Sequence, residues 1–111
     1  MTCKKIAITQ RLIPNDSYQE LREGLDVRWG SVFQALNFLP IILPIEYDFE
    51  KYFKTIGISG IFLTGGNDLN ILKPGAISLQ REVFEKKLID YGIKNNIPIF
   101  GVCKGMQLIA E

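Results

Sequence analysis

Four short apolar runs recur along this chain, each separated from the next by a polar or helically patterned stretch. They are Ile6-Ala7-Ile8-Thr9, Ile41-Ile42-Leu43, Gly60-Ile61-Phe62-Leu63 and Ile97-Pro98-Ile99-Phe100. Runs this short read as strands, and a strand that is apolar on both faces needs a sheet covered on both faces. The intervening segments supply that cover. Leu25, Trp29, Val32, Phe33 and Leu36 fall at i, i+4, i+7, i+8 and i+11, one face of a helix that Pro40 ends. Asp48 to Ile56 reads as a short helix with Phe49, Tyr52, Phe53 and Ile56 inward. Leu79 to Lys94 reads as a long one with Val83, Phe84, Leu88 and Tyr91 buried. Gln10 to Ser17, interrupted by Pro14, Asn15 and Asp16, reads as a loop. Strands alternating with amphipathic helices predict an α/β fold with a parallel sheet in a single domain.

The composition narrows the partners. The chain has 111 residues, is 47% hydrophobic and 23% charged, and carries a formal net charge of +1. Lys and Arg are spread along it rather than clustered, so nothing points to nucleic acid or to a membrane surface. No apolar run is long enough to span a bilayer, and Met1-Thr2-Cys3-Lys4-Lys5 is not followed by the apolar core of a signal peptide. We read the protein as cytoplasmic and its partner as a small molecule. Its two cysteines, Cys3 and Cys103, sit at opposite ends of their strands, about 15–20 Å apart. A disulfide needs Cα atoms within about 7 Å, so both read as free thiols. Cys3 reads as an incidental residue near the terminus.

Gly101-Val102-Cys103-Lys104-Gly105-Met106-Gln107 follows the last strand and leads into Leu108-Ile109-Ala110, which reads as the start of a helix. A G-x-C-x-G step between strand and helix is a nucleophile elbow with cysteine in place of serine. Its glycines allow the sharp turn that exposes the thiol, and a helix N-terminus behind the sulfur favours thiolate. The same cysteine could instead be core packing. The flanking glycines and Gln107 favour the nucleophile. Such a cysteine works with a histidine base, and the chain contains no histidine. The chain is therefore expected to be the N-terminal part of a longer enzyme, ending just after the elbow.

In a parallel α/β sheet, ligands bind beyond the carboxyl ends of the strands. Three segments converge there: the loop after Thr9, Thr64-Gly65-Gly66-Asn67-Asp68, and Cys103 to Gln107. A thiolate that attacks an amide carbonyl creates an oxyanion needing two donors about 3 Å away. The N–H of Lys104 is one candidate. The side-chain-free Gly65-Gly66 loop, if more than a turn, can approach closely enough to supply the other. Gln107 lies one helical turn beyond Cys103, so its carboxamide can face the same pocket. Asn67 and Asp68 read as turn formers and caps, and Trp29 as core or pocket wall. Arg11 and Arg81 read as solvated or structural, or as partners of a substrate carboxylate.

Leu63-Thr64-Gly65-Gly66-Asn67-Asp68, taken with Pro98-Ile99-Phe100-Gly101-Val102-Cys103-Lys104-Gly105-Met106-Gln107, resembles a class I glutamine amidotransferase. More narrowly it is similar to the γ-glutamyl hydrolase branch, peptidase C26, of the γ-glutamyl-γ-aminobutyrate hydrolase type. Gln10-Arg11 and the Arg81…Glu85…Leu88-Ile89 helix fit that branch too. Within it, the chain is also similar to enzymes that hydrolyse γ-glutamyl-CDP-amidate. The resemblance implies a flavodoxin-like three-layer α/β/α fold, a Cys-His-Glu triad, a γ-glutamyl thioester, and no metal or organic cofactor. It makes Cys103 the nucleophile, Gly66 and Lys104 the oxyanion donors, and Gln107 a substrate contact. The family's His and Glu would lie beyond Glu111. An open sheet edge left by so short a chain would invite pairing with another chain, a homo-oligomer included.

Other classes fit less well. A flavin carrier needs a hydroxyl- and glycine-rich phosphate loop after the first strand, and Thr9-Gln10-Arg11-Leu12-Ile13-Pro14 is not one. A dinucleotide enzyme would place G-x-G-x-x-G there. An α/β-hydrolase shares the elbow, but its partners would also fall outside the chain. The non-enzyme alternative is an inactive fragment or binding module that keeps the γ-glutamyl pocket.

Overall fold

The computed structural model describes residues 3–15, 20–64 and 76–101. Strand β1 (Lys4–Ile8) lies between β4 (Phe38–Ile42) and β5 (Ile58–Leu63), and β6 (Ile99–Gly101) lies outside β5. Every pairing in this sheet is parallel, with Ile8 beside both Ile42 and Phe62, and Leu63 beside Gly101. Taken in chain order, the four sheet strands run 2-1-3-4, the flavodoxin-like arrangement expected of this α/β chain.

The two faces of the sheet follow from strand periodicity. Ile6 and Ile8 point to one side, where Phe33 and Trp29 of α1 (Arg28–Ala35) cover them, together with Phe62. Ala7, Ile61 and Leu63 point to the other. There they meet Phe49 of α2 (Phe49–Thr55) and Phe84, Leu88 and Ile89 of α3 (Ala76–Lys94). Aromatic rings join the pieces edge to face: Trp29 to Phe62 at 5.0 Å and Phe49 to Phe84 at 6.0 Å between centroids. Helices on both sides of one parallel sheet make three layers.

Local chemistry sets the helix ends. Asp48 caps α2 by accepting the Glu50 N–H at 3.1 Å. Asn37 and Asn96 follow α1 and α3 with φ of 57° and 56°, the left-handed exit that asparagine tolerates better than other residues with a side chain.

Three local expectations are corrected. Arg11–Asn15 (β2) and Glu20–Gly24 (β3) form an antiparallel ribbon where a loop was expected to begin. A two-stranded ribbon has a free edge on each side, so Pro14 is tolerated there. Pro40 does not close α1 but sits inside β4, also a sheet edge. Val32, Leu36 and Val83, assigned to buried helix faces, are exposed. The covered stripe of α1 is the narrower Trp29 and Phe33 row, extended by Leu25 from the segment before the helix.

Candidate functional site

The residues expected to carry the chemistry, Cys103, Gly65, Gly66, Lys104 and Gln107, lie outside the described residues, as do Asn67 and Asp68. What the structure places is the frame from which they leave. β5 and β6 are parallel neighbours with Leu63 beside Gly101. Gly65 follows Leu63 by two residues and Cys103 follows Gly101 by two. The Gly-Gly segment and the elbow segment therefore depart from adjacent strands, at one level, on the carboxyl side of the sheet.

Directly beneath that departure point lies a polar network that sequence reasoning missed. Thr9 follows β1 and Thr64 follows β5, and both are buried. The Thr9 hydroxyl donates to Glu85 Oε2 at 2.8 Å and accepts the Thr64 N–H at 3.0 Å. The Thr64 hydroxyl donates to the Thr9 carbonyl at 3.0 Å and accepts from Arg81 Nη2 at 2.9 Å. Arg81 Nη2 also donates to the Thr64 carbonyl at 2.7 Å and pairs with Glu85 Oε2 at 3.2 Å. Arg81 and Glu85 are one turn apart on α3 and are 1% and 0% exposed, so neither is open to solvent. Of the readings open for Arg81, burial excludes the solvated one, and its bonds to Thr64 and Glu85 agree with the structural one. Arg11 lies exposed on β2. The signal that could have found the network is the i, i+4 acid–base pair on a helix whose neighbours are apolar, facing strands that each end in threonine.

The β2–β3 ribbon closes another side of this end of the sheet. Glu23 Oε1 accepts the Ile45 N–H at 2.9 Å and ties the ribbon to the segment after β4. A cavity of about 410 Å³ lies between them, lined by Leu12, Leu21, Glu23, Glu46, Tyr47 and Gln80 among others. Burial pushes the Glu23 carboxyl up, the Ile45 hydrogen bond pulls it down, and the Glu46 charge adds a smaller push upward. A second cleft, of about 670 Å³, runs between α2 and α3 past Phe49, Lys54, Lys87 and Tyr91, on the helical flank. Among the described residues, no group of three or more acidic, cysteine or histidine side chains could hold a metal ion, and no helix is long and apolar enough to cross a membrane. Cys3 is exposed, and its thiol donates to Asn37 Oδ1 at 3.2 Å.

Comparison with known proteins adds the following. The family model described as peptidase C26 matches residues 6–111. A gamma-glutamyl-CDP-amidate hydrolase of Campylobacter jejuni is 44% identical over 109 residues, which is 96% of this chain and 54% of that protein. Protein NtpR of Enterococcus hirae is 37% identical over 84 residues, 68% of this chain and 35% of that protein. A glutamine-hydrolyzing GMP synthase of Plasmodium falciparum is 42% identical over 66 residues, 59% of this chain and 11% of that protein. The chain thus spans about half the length of the Campylobacter relative and smaller shares of the other two.

Proposed function

This chain belongs to the peptidase C26 family, and from that premise we propose that it forms the N-terminal part of a cysteine-dependent γ-glutamyl amide hydrolase. In this reading, residues 1–111 are the first part of a class I glutamine amidotransferase-like domain. The Cys103 thiolate attacks the δ-carbonyl of a γ-glutamyl amide. An S–C bond forms, and the carbonyl oxygen takes up negative charge between the backbone N–H groups of Lys104 and Gly66. Gly65 gives the loop its close approach, and Gln107 holds the glutamyl head. Collapse expels the amine, protonated by an imidazolium, and leaves a γ-glutamyl thioester that water cleaves to glutamate. With no histidine among these 111 residues, the base in this reading comes from outside them, and so does the glutamate that the family resemblance places beyond Glu111.

The observation that carries the reading is the Leu63–Gly101 register, which starts the Gly-Gly and Cys103 segments from neighbouring strands at one level. The name of the Campylobacter relative makes γ-glutamyl-CDP-amidate the first substrate to test. Full-length protein should release glutamate from a γ-glutamyl amide. Cys103→Ser should abolish turnover and keep substrate binding. A glutamine-like chloroketone should leave its adduct on Cys103. An adduct on Cys3, or full activity in Cys103→Ser, would overturn the assignment.

A further inference from the structure

We propose that Arg81 and Glu85 are positioning residues that aim the chain leaving Thr64, and through it the oxyanion loop; this rests on the γ-glutamyl hydrolase reading. Thr64 is the last described residue before Gly65-Gly66, and its N–H, carbonyl and hydroxyl are all held. A residue tethered at all three groups has little freedom in φ or ψ. The carbonyl is the telling one. It accepts from Arg81 Nη2 at 2.7 Å, so the last described carbonyl at this strand end is itself anchored. Glu85 in turn holds Arg81 Nη2 at 3.2 Å and the Thr9 hydroxyl at 2.8 Å, so the β1 end and the β5 end are locked to the same carboxylate.

Stability alone gives little reason for such a pair. Enclosing both charges removes them from water, and apolar residues of similar volume often serve a fold as well or better. An oxyanion hole, by contrast, depends on donors held to fractions of an ångström. A guanidinium nitrogen anchored by a carboxylate holds a carbonyl's direction in a way that apolar packing cannot.

The test compares full-length wild type with Arg81→Met/Glu85→Leu, which removes both charges together. The double variant should fold with a lowered melting temperature, since the Thr64 carbonyl loses its Arg81 bond, but it should lose less than a variant that leaves one charge buried alone. Its kcat should fall about 10²-fold, the loss that a misplacement of about 1 Å produces, with KM changed only a few-fold. Alkylation of Cys103 by iodoacetamide should keep its rate, because displacement at that carbon forms no oxyanion. Thr64 provides an independent pair of variants should the double variant not fold. Thr64→Val should lower kcat about tenfold and Thr64→Ser should retain it. A folded double variant with wild-type kcat, or equal kcat in the two Thr64 variants, overturns the positioning role and leaves the hydrolase reading standing. Absence of γ-glutamyl hydrolysis by the wild type overturns that reading and the positioning role with it.

Discussion

Gly92 of α3 faces Ile99 of β6 so closely that a Cβ placed on it would stand 2.8 Å from the isoleucine Cδ1 and 3.1 Å from Ile61 Cδ1. The helix lies down on the sheet because this position has no side chain. A methyl group could be met by rotating the end of Ile99, but a branched residue could not. Gly92→Val should destabilise by about 1–3 kcal/mol, seen as a lower denaturant midpoint. An unchanged midpoint would mean that α3 can lift from β6 at little cost.

Breaking the buried pair on α3 should differ sharply from removing it. Arg81→Met alone leaves the buried Glu85 carboxylate with the Thr9 hydroxyl but without the Arg81 guanidinium, and should cost about 3–5 kcal/mol. Chemical denaturation of the single and double variants side by side reads the difference. Equal losses in the two would argue that the guanidinium acts by its packing volume and not by its charge.

Glu23 carries a pH dependence whose sign can be worked out. Its carboxyl is raised in the folded chain, chiefly by burial. The folded state therefore holds that proton more tightly than the unfolded state, and the associated stability is present at low pH and lost as pH rises through the folded value. Glu23→Gln keeps an oxygen for the Ile45 N–H and removes the charge. The variant should be at least as stable as wild type at pH 7, with the advantage fading below about pH 4, where the unfolded carboxyl is protonated too. A variant clearly less stable at pH 7 would show that the ionised form is needed.

Asp26 shows the opposite sign. Side-chain and backbone hydrogen bonds from Arg28 hold its carboxyl down at about 2. Its contribution is present above the unfolded value near 4 and is lost as pH falls through about 2. Carboxyl carbon shifts in an NMR titration should place Asp26 at about 2 in wild type. In Arg28→Gln the midpoint should move up toward the usual carboxylate range. A midpoint unmoved by that substitution would remove Arg28 as the cause.

Much of the fold was legible because it rests on short-range patterns. Ile6, Ala7 and Ile8 cannot be apolar in succession unless both faces of their strand are covered. The run ending at Leu63 repeats that demand. Asp48 and the helix behind it were readable for the same local reason, a capping side chain before an aromatic stripe. The proposed chemistry rests on the sequence alone, on the glycines around Cys103 and at Gly65-Gly66, because a sharp turn and a close backbone approach would restrict residue type directly.

Other features depended on what stands opposite. Pro14 and Asn15 have the composition of a loop, yet they form a strand because Leu21 and Glu20 lie across from them. Val32 and Val83 fit an apolar helical period, but the curved stripe that touches the sheet is narrower than the period allows. Arg81 and Glu85 carry the sharpest lesson. By residue type they belong in water, and their spacing suits an exposed i, i+4 pair as well as a buried one. They are enclosed because α3 crosses the ends of β1 and β5 where Thr9 and Thr64 offer polar atoms to receive them. Periodicity along the chain determined which segments become strands and helices. Only the tertiary structure decided which charges they enclose, since burial of a charge depends on partners supplied by strands 17 and 72 positions away in sequence.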